Sequence, residues 1–131
     1  MKSLFACLFL AVVTTAFAAD ADKAPERRYV FGAEVVRVVD GGTVTLNIDL
    51  GFHVWLHDET MRLEGVTAPN FKDGPAADAQ KWRAALESLL EGHKLIIETK
   101  KDKTLNPPTK FFVTIWADDE NVNEALKKAV K

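Results

Sequence analysis

Cysteine is nearly absent from this chain of 131 residues: Cys7 is its single copy. It lies inside an N-terminal apolar run, Leu4 to Thr15, that is too short to span a bilayer comfortably. Lys2 precedes the run, and Ala16-Phe17-Ala18 follows it with the small-x-small pattern of a signal-peptidase site. Residues 1–18 therefore read as a cleavable signal peptide, and the expected location is secreted or periplasmic, with no stable membrane insertion after cleavage. Leu4-Phe5-Ala6-Cys7 is a weak lipobox, because the apolar run continues past the cysteine where a lipobox would end it. Without residues 1–18 the chain has no cysteine, so disulfides and thiolate chemistry are excluded and packing alone must hold the core. The remaining 113 residues suffice for one such domain.

An excess of positive charge is also missing. The sequence has 17 Lys and Arg against 19 Asp and Glu, and removal of the leader takes away Lys2 and no acid. A balance near −3 argues against a generic nucleic-acid binder, whose affinity comes largely from surplus cations. Internal repeats, low-complexity tracts and His-Glu-x-x-His are absent too.

What is present is a series of short strand signals. Residues 19–28 form a polar lead-in containing Pro25, expected to be disordered. Tyr29 to Val39 suits a long first strand, with Val36 and Val38 on its inner face and Gly32 marking a bend or bulge. Asp40-Gly41-Gly42 signals a hairpin turn. In the second strand, Thr43 to Leu50, Val44, Leu46 and Ile48 alternate with Thr45, Asn47 and Asp49. Gly51 to Thr60 is expected to be a connection, and Met61 to Val66 a third strand ended by Pro69. Trp82, Ala85, Leu86 and Leu89 have i, i+3, i+4, i+7 spacing, which predicts an amphipathic helix from Pro75 to Glu91, stopped by Gly92. Lys94 to Lys100 and Phe111 to Trp116 read as strands, separated by a loop containing Pro107-Pro108. Asn121-x-x-Glu124 resembles a capping box opening a last helix on Val122, Ala125, Leu126 and Ala129. The order β-β-β-α-β-β-α predicts a mainly β, α+β domain over 29–131: a five-stranded barrel of the oligonucleotide-binding (OB) type with two helices. A generic α+β sandwich fits the pattern nearly as well.

Three segments add a resemblance. Val38-Val39-Asp40-Gly41-Gly42-Thr43-Val44 is similar to an Asp-Gly-Asp-Thr hairpin. Met61-Arg62-Leu63-Glu64-Gly65-Val66-Thr67-Ala68-Pro69-Asn70 is similar to Arg-Leu-x-Gly-Ile-Asp-x-Pro-Glu. Ile115-Trp116-Ala117-Asp118-Asp119-Glu120-Asn121-Val122-Asn123-Glu124-Ala125-Leu126 is similar to Ala-Asp-Gly-x-x-Val-Asn-x-x-Leu. In this order they resemble the staphylococcal nuclease-like (thermonuclease-like) domain, over roughly Phe31 to Leu126. That family includes secreted calcium-dependent nucleases acting on DNA and RNA, and non-catalytic binding copies.

The resemblance implies a site, and the sequence departs from it. Asp40 keeps the first acidic position of the ion pocket. Gly42 and Thr67 stand where the family has calcium-binding aspartates, and Ala68 where a backbone carbonyl meets the metal. Asn70 replaces the glutamate general base. Arg62 keeps the first phosphate-gripping arginine, and Lys110 stands at the second, after an altered Asn106-Pro107-Pro108-Thr109 turn. Thr43, Arg62 and Lys110 are the expected ligand-binding positions. At an effective dielectric of about 20, each lost carboxylate forfeits on the order of several kcal/mol of attraction for a divalent ion. Calcium wants roughly six to eight oxygens, and losing the base costs about 10²–10⁴ in rate. Lysine at the second phosphate position lacks the two-pronged geometry of arginine.

The expectation is a degenerate nuclease acting as a binding module for single-stranded nucleic acid, a nucleotide or a protein, with no cofactor. The competing expectations are an active calcium-dependent nuclease with rerouted ligands (Asp73, Asp49, Asp58, Glu59 or Glu64) and an envelope assembly component without a ligand. Arg62 has a structural alternative, an ion pair with Glu64 or Glu34. His53 and His57 have a spacing that aligns ligands on a helix rather than a loop, and neither they nor His93 are expected to bind metal. Phe52, Trp55, Phe71 and Trp116 suit packing better than base stacking. Lys94, Lys100, Lys101, Lys103 and Lys110 form the one basic concentration, a solvated face by default and a phosphate-binding rim otherwise.

Overall fold

The structure, a computed structural model, describes residues 24, 26–72, 74–101 and 111–131. The leader, Asp73, Lys103 and Lys110 lie outside the described residues.

Strands β1 (Val30–Asp40), β2 (Thr43–Asp49) and β3 (Trp55–Leu63) form an antiparallel meander. Helix α1 (Ala76–Leu90) follows, then β4 (Leu95–Lys101) pairs with the free edge of β1, and β5 (Phe111–Ala117) pairs with β4. The sheet closes where β5 runs parallel to the end of β3, through Arg62↔Phe112 and Leu63↔Val113. The result is the expected five-stranded closed barrel of the OB type, with two helices. A two-residue strand, β6 (Glu120–Asn121), adds to the end of β5, and helix α2 (Val122–Ala129) ends the fold.

Period-two burial builds the core. Val44, Leu46 and Ile48 of β2, Leu95 and Ile97 of β4, and Val113 and Ile115 of β5 all point inward. Helix α1 adds Leu86 and Leu90, and α2 adds Val122 and Leu126. At the start of α2 the Asn121 side chain accepts the Glu124 N–H at 3.1 Å, the N-cap that the sequence announces. Just beyond α1, Gly92 has φ +74°, as a helix stop requires.

Three readings need correction. The third strand begins at Trp55, so the connection is a tight turn, Gly51 to Val54, closed by Val54 N–H donating to Gly51 O at 3.0 Å. Its first half hides from pattern reading because Trp55 to Thr60 are all exposed and include His57, Asp58 and Glu59, which are poor strand formers. Gly32 pairs regularly with both Asp49 and Ile96; the bulges of β1 lie further along, at Val36 and Val39. Each bulge adds one residue against β2 and turns it outward, so Val36 is exposed and Val35 takes the inner side.

Candidate functional site

The β1–β2 hairpin builds the site. Asp40 ends β1 and pairs in register with Thr43, leaving Gly41 and Gly42 as a two-residue turn. The Asp40 Oδ1 accepts the Gly42 N–H at 2.8 Å, so the carboxylate is folded back onto its own turn. Gly41 is buried beneath α1. A Cβ on it would lie 2.3 Å from the Cβ of Trp82, a contact no side chain can make. Glycine is needed here for space, and the helix thereby holds the turn from below.

The end of β3 is tied to the same turn, because Leu63 N–H donates to Gly42 O at 2.9 Å. Arg62 therefore stands opposite Thr43. Gly65, at φ +71°, then redirects the chain so that Ala68 passes over the hairpin. A Cβ on Gly42 would sit 3.5 Å from the Ala68 Cβ and 3.7 Å from Asp40 Oδ1. The fold thus brings together Asp40, Gly42, Thr43, Arg62 and Ala68. Thr67 is exposed on the same loop, and the Asn70 Oδ1 accepts the Lys72 N–H at 2.9 Å in a turn of its own. Lys110 lies outside the described residues, two positions before Phe112, the β5 residue paired with Arg62.

These residues do not fit a calcium ion. Among the described residues no three His, Cys, Asp or Glu side chains are grouped to hold a metal. Asp40 is one carboxylate with an oxygen already engaged, against a requirement of roughly six to eight oxygens. Of the substitute ligands, Asp49 lies at the far end of the hairpin, where its Oδ1 accepts the Gly51 N–H at 2.8 Å. Asp58 sits in the bulge of β3 at φ +58°, next to Glu59, and its N–H donates to Asn47 Oδ1. Glu64 receives Lys100 Nζ at 3.0 Å and the Thr114 hydroxyl at 3.1 Å. Asp73 lies outside the described residues.

The structural alternative for Arg62 is not realised. Glu64 is taken by Lys100, and among the described residues Arg62 has no ion-pair partner and is exposed. His57 lies within β3 rather than in a loop, and His53 occupies the turn before it. The Nδ1 of His93 meets Asp118 Oδ2, linking the α1–β4 connection to the β5–β6 turn. Among the described residues, the two carboxylates with depressed pKa values lie away from the hairpin. Arg28 holds Glu98 below its usual range, by hydrogen bond and charge, and Lys127 does the same to Glu124.

Sequence reading missed two polar arrangements. Thr45, assigned to the outer face, is buried because Arg37 lies across it (Nε to Oγ1, 3.4 Å) while Thr60 shares a 3.1 Å hydrogen bond. Asn123 is buried and saturated. Its amide donates to Glu64 O at 2.9 Å and Val113 O at 3.0 Å, and its carbonyl accepts the Ile115 N–H at 3.1 Å. The Val-Asn pair of the third segment was the available signal, but spacing alone does not say that the asparagine faces inward. Compared with known proteins, the sequence matches no family model and no curated protein.

Proposed function

We propose that this chain is an exported, non-catalytic binding module on a nuclease-like barrel, and that it grips a phosphate-bearing ligand, a nucleotide or single-stranded nucleic acid, through Arg62. One observation carries the reading: an exposed guanidinium without an ion-pair partner among the described residues stands beside a hairpin that keeps a single, already engaged carboxylate. A guanidinium without a carboxylate is a ready phosphate fork. A lone carboxylate bonded to its own turn neither holds a divalent cation nor serves as a second acid for hydrolysis. Lys110 is assigned to the same ligand as a point charge. The acidic balance of the chain restricts this affinity to one local cleft and excludes a broad basic surface.

The test is calorimetry with a 3′,5′-nucleoside bisphosphate, with and without calcium, beside a cleavage assay on single-stranded DNA. The expected result is salt-dependent binding that calcium leaves unchanged, weakened about tenfold or more by Arg62→Ala, with no cleavage. Metal-dependent turnover abolished by Asp40→Ala or Arg62→Ala would overturn it in favour of a rerouted nuclease. Absence of any bisphosphate binding would equally remove the phosphate-gripping role.

A further inference from the structure

The barrel has a concavity lined mostly by residues away from the Asp40 hairpin, with Met61, Glu64 and Phe112 reaching toward Arg62. It is formed where the start of β1, the end of β2, the first half of β3, the end of β4 and the start of β5 come together, and it encloses about 950 Å³. Volumes of about 300–1,000 Å³ are typical of small-molecule sites, and barrel mouths are a recurrent location. Ile48 and Met61, which belong to the core, form the floor. Phe31, Leu50, Leu56 and Phe112 supply apolar walls. Another concavity, between β1 and α1, is polar in comparison, edged by Glu34, Arg37, Arg83, Glu87 and Glu91.

The charges at the apolar mouth decide what kind of ligand it suits. Lys100 is neutralised by Glu64 at 3.0 Å. Arg27, Lys101 and Glu59 also line the cavity, and none of the three has an ion-pair partner among the described residues. Among the described residues the rim therefore carries one positive charge in excess over an apolar interior. A nucleic acid strand, with a charge on every phosphate, would set its backbone against Glu59 and leave the apolar walls uncovered.

We propose that this cavity binds a small amphiphilic monoanion: an unbranched apolar chain lying on Ile48, Met61 and Leu56, with a carboxylate or similar head between Arg27 and Lys101. Neither Asp40 nor Arg62 lines the cavity, although Met61 and Phe112 flank Arg62. Amphiphile binding here stands or falls independently of phosphate binding through Arg62.

The probe is decanoate, titrated calorimetrically into the whole protein below micelle-forming concentrations, with 1-decanol as the uncharged counterpart. A one-to-one complex with a Kd of about 10–100 μM is expected, from the apolar length of the chain. Leu56→Glu puts a charge into the wall at a half-exposed position and should weaken decanoate at least about tenfold. Tyr29→Ala, a milder change at the same mouth, should weaken it less, and thermal melts of both variants verify folding. The double variant Arg27→Gln, Lys101→Gln should weaken decanoate about threefold or more while leaving decanol unchanged. Arg62→Ala should leave decanoate binding intact. No heat beyond dilution would overturn the proposal, as would equal affinity in a folded Leu56→Glu variant. Equal binding of decanoate by the double variant would overturn the placement of the head group.

Discussion

The two ends of the barrel are finished in opposite ways. At the hairpin end, Gly41 lies under Trp82, Ala68 covers Gly42, and Asn123 joins the chain after β3 to β5. At Gly41 glycine is required because no room exists for a Cβ. At the other end the turn from β2 to β3 places Phe52 at φ +54° and His53 at φ +61°, conformations that favour glycine or asparagine, with Phe52 99% exposed. Room is plentiful there and backbone conformation is the constraint. One end is limited by packing and the other by local strain, so substitutions at the two ends should fail, or succeed, for different reasons.

The largest effect should come at the packed end. Replacing Asn123 with alanine removes the acceptor of the Ile115 N–H and the donor to two backbone carbonyls, in a position 3% exposed. A buried polar group left without a partner costs about 1–3 kcal/mol. With several orphaned together, Asn123→Ala should lower the unfolding free energy by about 3 kcal/mol, measured by denaturant titration. Asn123→Asp should also destabilise, because a carboxylate cannot donate to Glu64 O and Val113 O. A loss below about 0.5 kcal/mol would mean that the packed end does not depend on this junction.

The same contrast explains what the sequence disclosed. The element order and the barrel class were legible, because inward residues such as Val44, Leu46 and Ile48 recur with strict period two. The packed end was legible in part: the segments carrying Asp40, Arg62 and Val122-Asn123 meet there, and Gly42, Thr43 and Ala68 fall together. The open end was not. The first half of β3 is exposed on both faces and carries no periodic signal. The apolar cavity draws its lining from five strands that are remote in sequence, so no local pattern announces it. The outward turn of Val36 needs a bulge, which changes the side-chain face without changing the composition.

At the open end a change should help. His53→Gly relieves a left-handed residue that costs about 1–2 kcal/mol, less the added chain entropy of glycine. The expected gain is about 0.5–1 kcal/mol, read as a raised Tm. The reverse kind of change at the packed end, Gly41→Ala, adds a Cβ against Trp82 and must destabilise. If His53→Gly destabilises, the turn is held by contacts of the imidazole and not merely tolerated.

The smallest effect concerns the start of β1, also at the open end. Arg28 forks onto Glu98 of β4, Nη2 to Oε2 at 2.9 Å and Nε to Oε1 at 3.2 Å, fastening a residue expected to be free lead-in. The guanidinium holds the Glu98 carboxyl below its ordinary value of 4.5, first by hydrogen bonding and then by charge. A depressed carboxylate adds stability above its unfolded-state value and loses it as pH falls through the folded one. Glu98→Gln should therefore lower the Tm slightly near neutrality, and the gap from the parent should close as pH drops below the ordinary carboxylate range. Arg28→Gln should reproduce the same convergence, since the shift originates in the pair. Because the pair is solvent-facing, added salt should shrink the neutral-pH gap as well. A gap that persists unchanged in acid would assign the loss to packing of the Glu98 stem against β1, which would make the open end better packed than its exposed residues indicate.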